Sequence, residues 1–387
     1  MPTTPAKNLL YRAALPILAP HSRGQMTHHI SGHPLTTLPN YERILAKHHV
    51  FGASLLLQDG ANCALCNTST ANPEHLAQEN TLYRVASITK MATALVTLRC
   101  IDNGLFALDS EAASLLPDGE KTPALSGVTV RHLLCHTSGL RDLPMLDSCL
   151  KEGKPYTELL RQPEIRACAP GQQLIYSNFG FGLLGCILEQ QTGLCIEPLF
   201  QKMLFRPLHM RATLDASTLN EADIMPITRV LPYRAGQELR VTALGRHPLQ
   251  KPNPLCHYGH TAGAMYTDGR SVLQMLTLIY QRGTMDGTRL IGESLMQEMT
   301  RRQAATPTRT YGLGLVILNR PEISPRRLLG HQGFAYGCVD GAFIEEETGR
   351  AVVFLNGGAS EARTGRLGLV NRDVLQWALK QEMPSWT

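Results

Sequence analysis

Near the start of the chain, two apolar runs at residues 50–57 and 61–66 flank Asp59-Gly60. Asp-Gly tolerates the positive φ angles of a tight turn, so the pattern predicts strand, turn, strand, a hairpin that opens the fold. After a polar loop, residues 82–86 lead into Ser87-Ile88-Thr89-Lys90-Met91, the head of an Ala- and Leu-rich run that stops at Asn103-Gly104. This is the pattern of a helix with a glycine stop, and it puts Ser87 at the helix N-terminus. From about 105 to about 231 the apolar spacing is helical, notably over 130–135, 157–161 and 182–189, with Pro and Gly punctuating the elements. Beyond Gly312 the period becomes that of strands, over 313–318, 341–344 and 351–355, the last two joined across Glu347-Thr348-Gly349. Residues 367–379 close as an amphipathic helix. Strands at both ends with helices between them predict an α+β fold, one sheet carrying a mainly helical insertion. No repeat, coiled coil or low-complexity tract interrupts it.

Composition narrows the partners. A chain of 387 residues with 43% hydrophobic usage can bury a sizeable core. Charged residues make up 18% and the net charge is only +5, spread along the chain, which argues against nucleic acid as a partner. The basic run 300–309, with Arg301, Arg302 and Arg309, reads as a solvated helix end. No apolar stretch reaches the roughly 18 residues of a membrane-spanning helix. Residues 9–20 are apolar and follow Lys7, but Arg12 and Pro16 interrupt them and no small-residue cleavage site follows. They read as an ordinary N-terminal segment, with a secretory signal as the alternative. The ten cysteines lie scattered in apolar stretches and read as buried thiols of a reducing compartment, favouring a cytoplasmic location over a periplasmic or secreted one. Cys63-x-x-Cys66 sits in a predicted strand with no second pair at zinc spacing, so no metal site is expected.

A serine hydroxyl needs a neighbouring base to act as a nucleophile, and Lys90, at i+3 from Ser87, lies on the same helical face. S-x-x-K alone is weak, because about one copy is expected by chance in a chain of this length. Two later segments strengthen it. Tyr176-Ser177-Asn178 offers a phenol able to relay a proton and an amide able to bond a substrate carbonyl. Gly330-His331-Gln332-Gly333 adjoins the strand-like segments, where a glycine lets backbone approach a substrate closely. Two other motifs mislead. Gly180-x-Gly182-x-x-Gly185 spells a dinucleotide fingerprint but lies in a helical region without a clear βαβ unit, and reads as helix packing. Cys135-His136 lies in a Leu-rich segment and reads as a structural turn rather than a thiol nucleophile. No G-x-S-x-G elbow and no H-E-x-x-H occur.

In this order and on these elements, the three motifs resemble the serine β-lactamase, penicillin-binding-protein and D-aminopeptidase family, nearest its class C branch, over roughly residues 50–379. Residues 128–140, Val-Thr-Val-Arg-His-Leu-Leu-Cys-His-Thr-Ser-Gly-Leu, are similar to the family signature, with Cys135 where threonine is usual. Ala169-Pro170-Gly171 ahead of Tyr176, and Tyr311-Gly312-Leu313-Gly314 ahead of the H-x-G strand, also resemble it. The resemblance implies a β-lactamase/transpeptidase-like fold with an antiparallel sheet flanked by helices. An N-terminal extension would span 1–39 and a catalytic domain 40–387. Within the latter, a sheet subdomain would cover about 40–104 and 240–387, and a helical one about 105–239.

The resemblance implies Ser87 as nucleophile, Lys90 and Tyr176 as the acid and base pair, and Asn178 on the acyl-side amide. Backbone N–H groups of Ser87 and Phe334 would hold the oxyanion. Neither cofactor nor metal is implied, and the partner is a small-molecule or short-peptide substrate. His331 departs from the lysine of the K-T-G triplet of class C enzymes. Because histidine is only partly charged near pH 7, its protonation is expected to govern carboxylate-bearing substrates, and efficient β-lactam hydrolysis is not expected. The leading expectation is an acyl-enzyme hydrolase of D-amino-acid peptides, released by water. An esterase or acyltransferase, a weak class C-type β-lactamase, and a non-enzymatic penicillin-binding sensor are the alternatives.

Overall fold

The structure is a computed structural model that describes residues 4–19, 26–35, 37–70, 76–119, 122–235 and 248–381. Its centre is a nine-stranded sheet: β1 (Thr27–Gly32), β2 (Ala53–Asp59), β3 (Asn62–Ser69), β4 (Ala304–Thr306), β5 (Arg309–Tyr311), β6 (Val316–Leu318), β7 (Leu328–Ala335), β8 (Cys338–Glu345) and β9 (Ala351–Asn356). The order is β1-β3-β2-β9-β8-β7-β6-β5-β4, antiparallel throughout, so the two ends of the chain meet where β2 pairs with β9. The near-continuous apolar runs of the central strands follow from burial on both faces. Leu56, Leu65, Ala342, Ile344, Val353 and Leu355 join the core under the helical layer. Their neighbours Leu55, Leu57, Cys66, Phe343, Val352 and Phe354 pack on the other side against Tyr41 and Leu45 of α2 (Leu38–Lys47) and Val370, Val374 and Trp377 of α6 (Leu369–Ala378). The helical layer contains α3 (Thr89–Asp102), α4 (Asn178–Thr192) and α5 (Gly269–Tyr280).

The hairpin β2–β3 forms as expected, but it does not open the fold. β1 pairs with β3 from Thr27↔Ser69 to Gly32↔Ala64, so the sheet begins inside the stretch assigned to an N-terminal extension. As an edge strand carrying His28 and His29, β1 lacks the apolar alternation that marks a strand in sequence. Helix α1 (Pro5–Leu18) also docks on the domain. Asn8 exchanges two hydrogen bonds with the Arg363 backbone, at 2.8 and 2.9 Å, and Tyr11 Oη accepts one from Glu361 N at 3.0 Å. The expected subdomain boundary near 240 lies outside the described residues. The basic run divides: its helix ends at Thr300, Arg301 and Arg302 are exposed, and Arg309 stands half-buried on β5. All ten cysteines are free, and among the described residues no single helix is long and apolar enough to cross a membrane.

Candidate active site

The chain reaches the site along the short strand Tyr83–Arg84, which pairs with Tyr266–Thr267. It turns at Ala86, which adopts φ 45°, a left-handed conformation costing an L-residue about 1 kcal/mol or more. Thr89 holds this turn. Its Oγ1 donates to Ala86 O at 2.6 Å and accepts from Met265 N at 3.1 Å. One turn of 3₁₀ helix, Ala86–Ile88, then runs into α3, leaving Ser87 partly accessible and Lys90, one turn further, fully buried.

Lys90 Nζ contacts Ser87 Oγ at 3.2 Å, Asn178 Oδ1 at 2.8 Å and Ala262 O at 2.6 Å. A neutral amine has two N–H bonds and one lone pair, so the two carbonyls occupy the donors and the lone pair is left for the serine hydroxyl. Burial pushes the Lys90 amine down to about 7, against an opposing pull from the Asp142 charge. On the other side, Tyr176 Oη donates to Ser87 Oγ at 2.8 Å. Burial, with Tyr311 adding to it, keeps this phenol well above its ordinary range, so it stays protonated at neutral pH. Its ring is clamped by His136 at 4.2 Å between centroids, and His136 Nδ1 accepts from Ser177 N at 3.2 Å.

Asn178 opens α4, with Ser177 as its cap through a 2.9 Å bond from Gly180 N. Asp142 fixes which end of the Asn178 amide faces Lys90. Its Oδ2 accepts from Asn178 Nδ2 at 2.7 Å, while Oδ1 accepts from Ser177 Oγ at 3.1 Å and from Phe179 N at 2.9 Å. The glycines of the false fingerprint also act here. A Cβ on Gly182 would lie 1.8 Å from Tyr258 O, and one on Gly185 2.7 Å from Thr261 Oγ1. Their absence lets loop 258–262 lie on α4 and bring Ala262 O to Lys90.

β6 covers β7 only over residues 328–330, and past Gly330 the edge of β7 meets the turn that carries Ser87. A Cβ on Gly333 would lie 2.3 Å from Val85 O, so glycine is what allows this approach. Phe334 follows, its ring under the Arg363 guanidinium at 3.8 Å. Ser87, Asn178, Tyr258, Ala262 and Phe334 line a cavity of about 300 Å³.

The beta-lactamase family model matches residues 40–373. The chain belongs to that family and is a serine hydrolase. It is 32% identical to monacolin J acid methylbutanoyltransferase of Aspergillus terreus, over 34% of this chain and 37% of that enzyme. With esterase EstB of Burkholderia gladioli the identity is 26%, over 77% of this chain and 83% of the esterase. Among solved structures, D-amino acid amidase from Ochrobactrum anthropi SV3 superposes with a TM-score of 0.69 at 21% identity, covering 89% of this chain and 98% of the amidase. That likeness shows the fold.

Within this beta-lactamase fold, the structure gathers Ser87, Lys90, Tyr176, Asn178, Gly333 and Phe334 at one place. His331 is the departure. It is 2% exposed, its Nδ1–H donates to Gln332 O at 2.7 Å, and its Nε2 is buried without a partner among the described residues. Burial and the Lys90 charge push it down to about 3. The imidazole is therefore neutral at pH 7, and the expected protonation switch for substrate carboxylates does not operate through it. Among the described residues, Glu189, Cys195 and His257 lie close enough to hold a metal ion. Glu189 is already engaged there, accepting from Ile196 N at 2.9 Å and Asn253 N at 2.7 Å and bonding His257 Nδ1 at 2.7 Å, as a brace between α4 and the 253–262 loop. Sequence reasoning missed Asp142 and passed over His136 as a turn residue. Both act by positioning Asn178 and Tyr176, across separations that no local pattern reveals.

Proposed function

We propose that the enzyme cleaves amides or esters of D-amino-acid peptides through an acyl-enzyme on Ser87. The observation that carries this reading is the Ser87 hydroxyl held between the Lys90 amine and the Tyr176 phenol. As Ser87 Oγ attacks the carbonyl carbon, its proton passes to the Lys90 lone pair. The oxyanion forms beside the N–H groups of Ser87 and Phe334, at the N-terminal end of the turn into α3. The C–N or C–O bond then breaks as Tyr176 gives its proton to the departing atom, and the Lys90 ammonium returns a proton to the phenolate. Water repeats the sequence in reverse, releasing the acid and restoring Ser87.

The preference for D-configured donors rests on similarity to D-amino acid amidase and to a D-stereospecific amidohydrolase from Streptomyces sp.. The neutral His331 in place of a lysine supports weak activity on β-lactams. An esterase reading is favoured by one observation, the similarity to EstB along 77% of the chain. A panel of chromogenic D-alanyl amides, their L-counterparts, short-chain nitrophenyl esters and a cephalosporin tests the proposal. The expected order is D-amide above L-amide, with the cephalosporin slowest. Esters turned over with no measurable D-amide cleavage would shift the assignment to an esterase.

A further inference from the structure

Tyr176 is not among the residues lining the cavity beside Ser87. Under the mechanism proposed above, Tyr176 protonates the leaving group, so the leaving group departs on the Tyr176 side. The part of the substrate that stays on Ser87 therefore fills the cavity. Its wall carries two guanidiniums, Arg84 and Arg229, with Tyr336 beside them.

Arg84 is only 8% exposed, and its Nε and Nη1 are buried without an acceptor among the described residues. Its guanidinium lies over the Tyr336 ring, Cζ 4.7 Å from the centroid, and Tyr336 sits on the β7–β8 turn at φ 56°. Arg229 has the Glu361 carboxylate 3.9 Å away, beyond hydrogen-bond length. Among the described residues, the one acidic side chain lining the cavity is Asp147, carried by the helix Leu146–Lys151. A buried guanidinium without a hydrogen-bond acceptor is costly, and its planar fork suits a carboxylate.

We infer that Arg84, assisted by Arg229, forms an anion subsite for the acyl part of the substrate, so that the preferred acyl donors carry a carboxylate on the group transferred to Ser87. This rests on the acyl-enzyme reading. Half-esters and half-amides of dicarboxylic acids, and acyl donors with an acidic side chain, are the substrate class it names.

The test compares 4-nitrophenyl hydrogen glutarate with 4-nitrophenyl butyrate, which share a leaving group and differ in the acyl carboxylate. The readout is the ratio of their kcat/KM values. Arg84→Gln should lower that ratio by about 30-fold or more, the scale of a lost buried charge pair. Arg84→Lys should recover part of it, and Arg229→Gln, a change at a less buried position, should lower it by about tenfold. A second pair, D-alanyl-D-alanine and its C-terminal amide, places the carboxylate on the leaving side, and its ratio should not respond to Arg84→Gln. An unchanged glutarate-to-butyrate ratio in both Arg84→Gln and Arg229→Gln, with turnover intact, overturns the subsite and leaves the acyl-enzyme reading standing. A response confined to the D-alanyl pair overturns the acyl-side assignment. Failure of the wild type to turn over either ester, together with no fluorophosphonate adduct on Ser87, overturns both.

Discussion

Lys90 can take the Ser87 proton only as a free amine, so its titration should appear in the rate. With the amine held at about 7 by burial, the reactive fraction is about 9% at pH 6, about 50% at pH 7 and about 91% at pH 8. On a neutral ester such as 4-nitrophenyl butyrate, kcat/KM should therefore climb about tenfold from pH 6 to pH 8 and level above that. The sign is that of a base, with activity lost as pH falls through the Lys90 value. Asp142 opposes the burial effect through its negative charge. Asp142→Asn, which keeps a hydrogen-bonding group of the same shape, should move the limb to lower pH. His331 is already neutral across this range, pushed down to about 3, so His331→Gln should leave the limb where it is. The assay is kcat/KM against pH for the three proteins, with nitrophenol read at its isosbestic wavelength. A limb that moves with His331→Gln and ignores Asp142→Asn would refute the reasoning, as would a flat profile between pH 6 and 8.

Two further outcomes are expected. Lys90→Ala and Tyr176→Phe should each slow acylation by two or more orders of magnitude, the scale of a lost general base or acid, and the double variant should be little worse in stopped-flow acylation. Strictly additive losses would separate the two groups into independent roles. Gly333→Ala must move a backbone whose Cβ position lies 2.3 Å from Val85 O. A displacement of about 1 Å at the oxyanion donors should cost about 100-fold in kcat on neutral and charged substrates alike, with the melting temperature as a control for folding.

Ser87 and Lys90 are legible in sequence because their relation is local: three residues apart on one helix, they meet wherever that helix forms. Tyr176 and Asn178 share an element boundary, yet their place beside Ser87 comes only from the resemblance of motif order, since 89 residues separate Ser87 from Tyr176. Asp142 carries no motif of its own. It works by accepting three bonds at the head of α4, a relation that exists only after the chain has folded. Arg84 belongs to no motif, and nothing in its neighbours betrays that its guanidinium is buried without a carboxylate. For His331 the residue type implies a partial charge near pH 7, whereas burial keeps it neutral, and burial cannot be read from residue type. The two faces of the sheet explain why the apolar runs read as strands, and β1 escaped because an edge strand needs no such run. The glycines of α4 read as packing positions in sequence, and their function in bringing Ala262 O to Lys90 depends on a loop some 80 residues away.

The central claim is that Ser87 becomes acylated. Intact-protein and peptide mass spectrometry after a fluorophosphonate, or after a slow acyl donor, tests it most directly. The wild type should gain one adduct, mapped to the peptide carrying Ser87. Ser87→Ala should gain none while keeping its fold, because the change removes the nucleophile at a partly accessible turn. An adduct of equal yield on Ser87→Ala would contradict the account and place the nucleophile elsewhere.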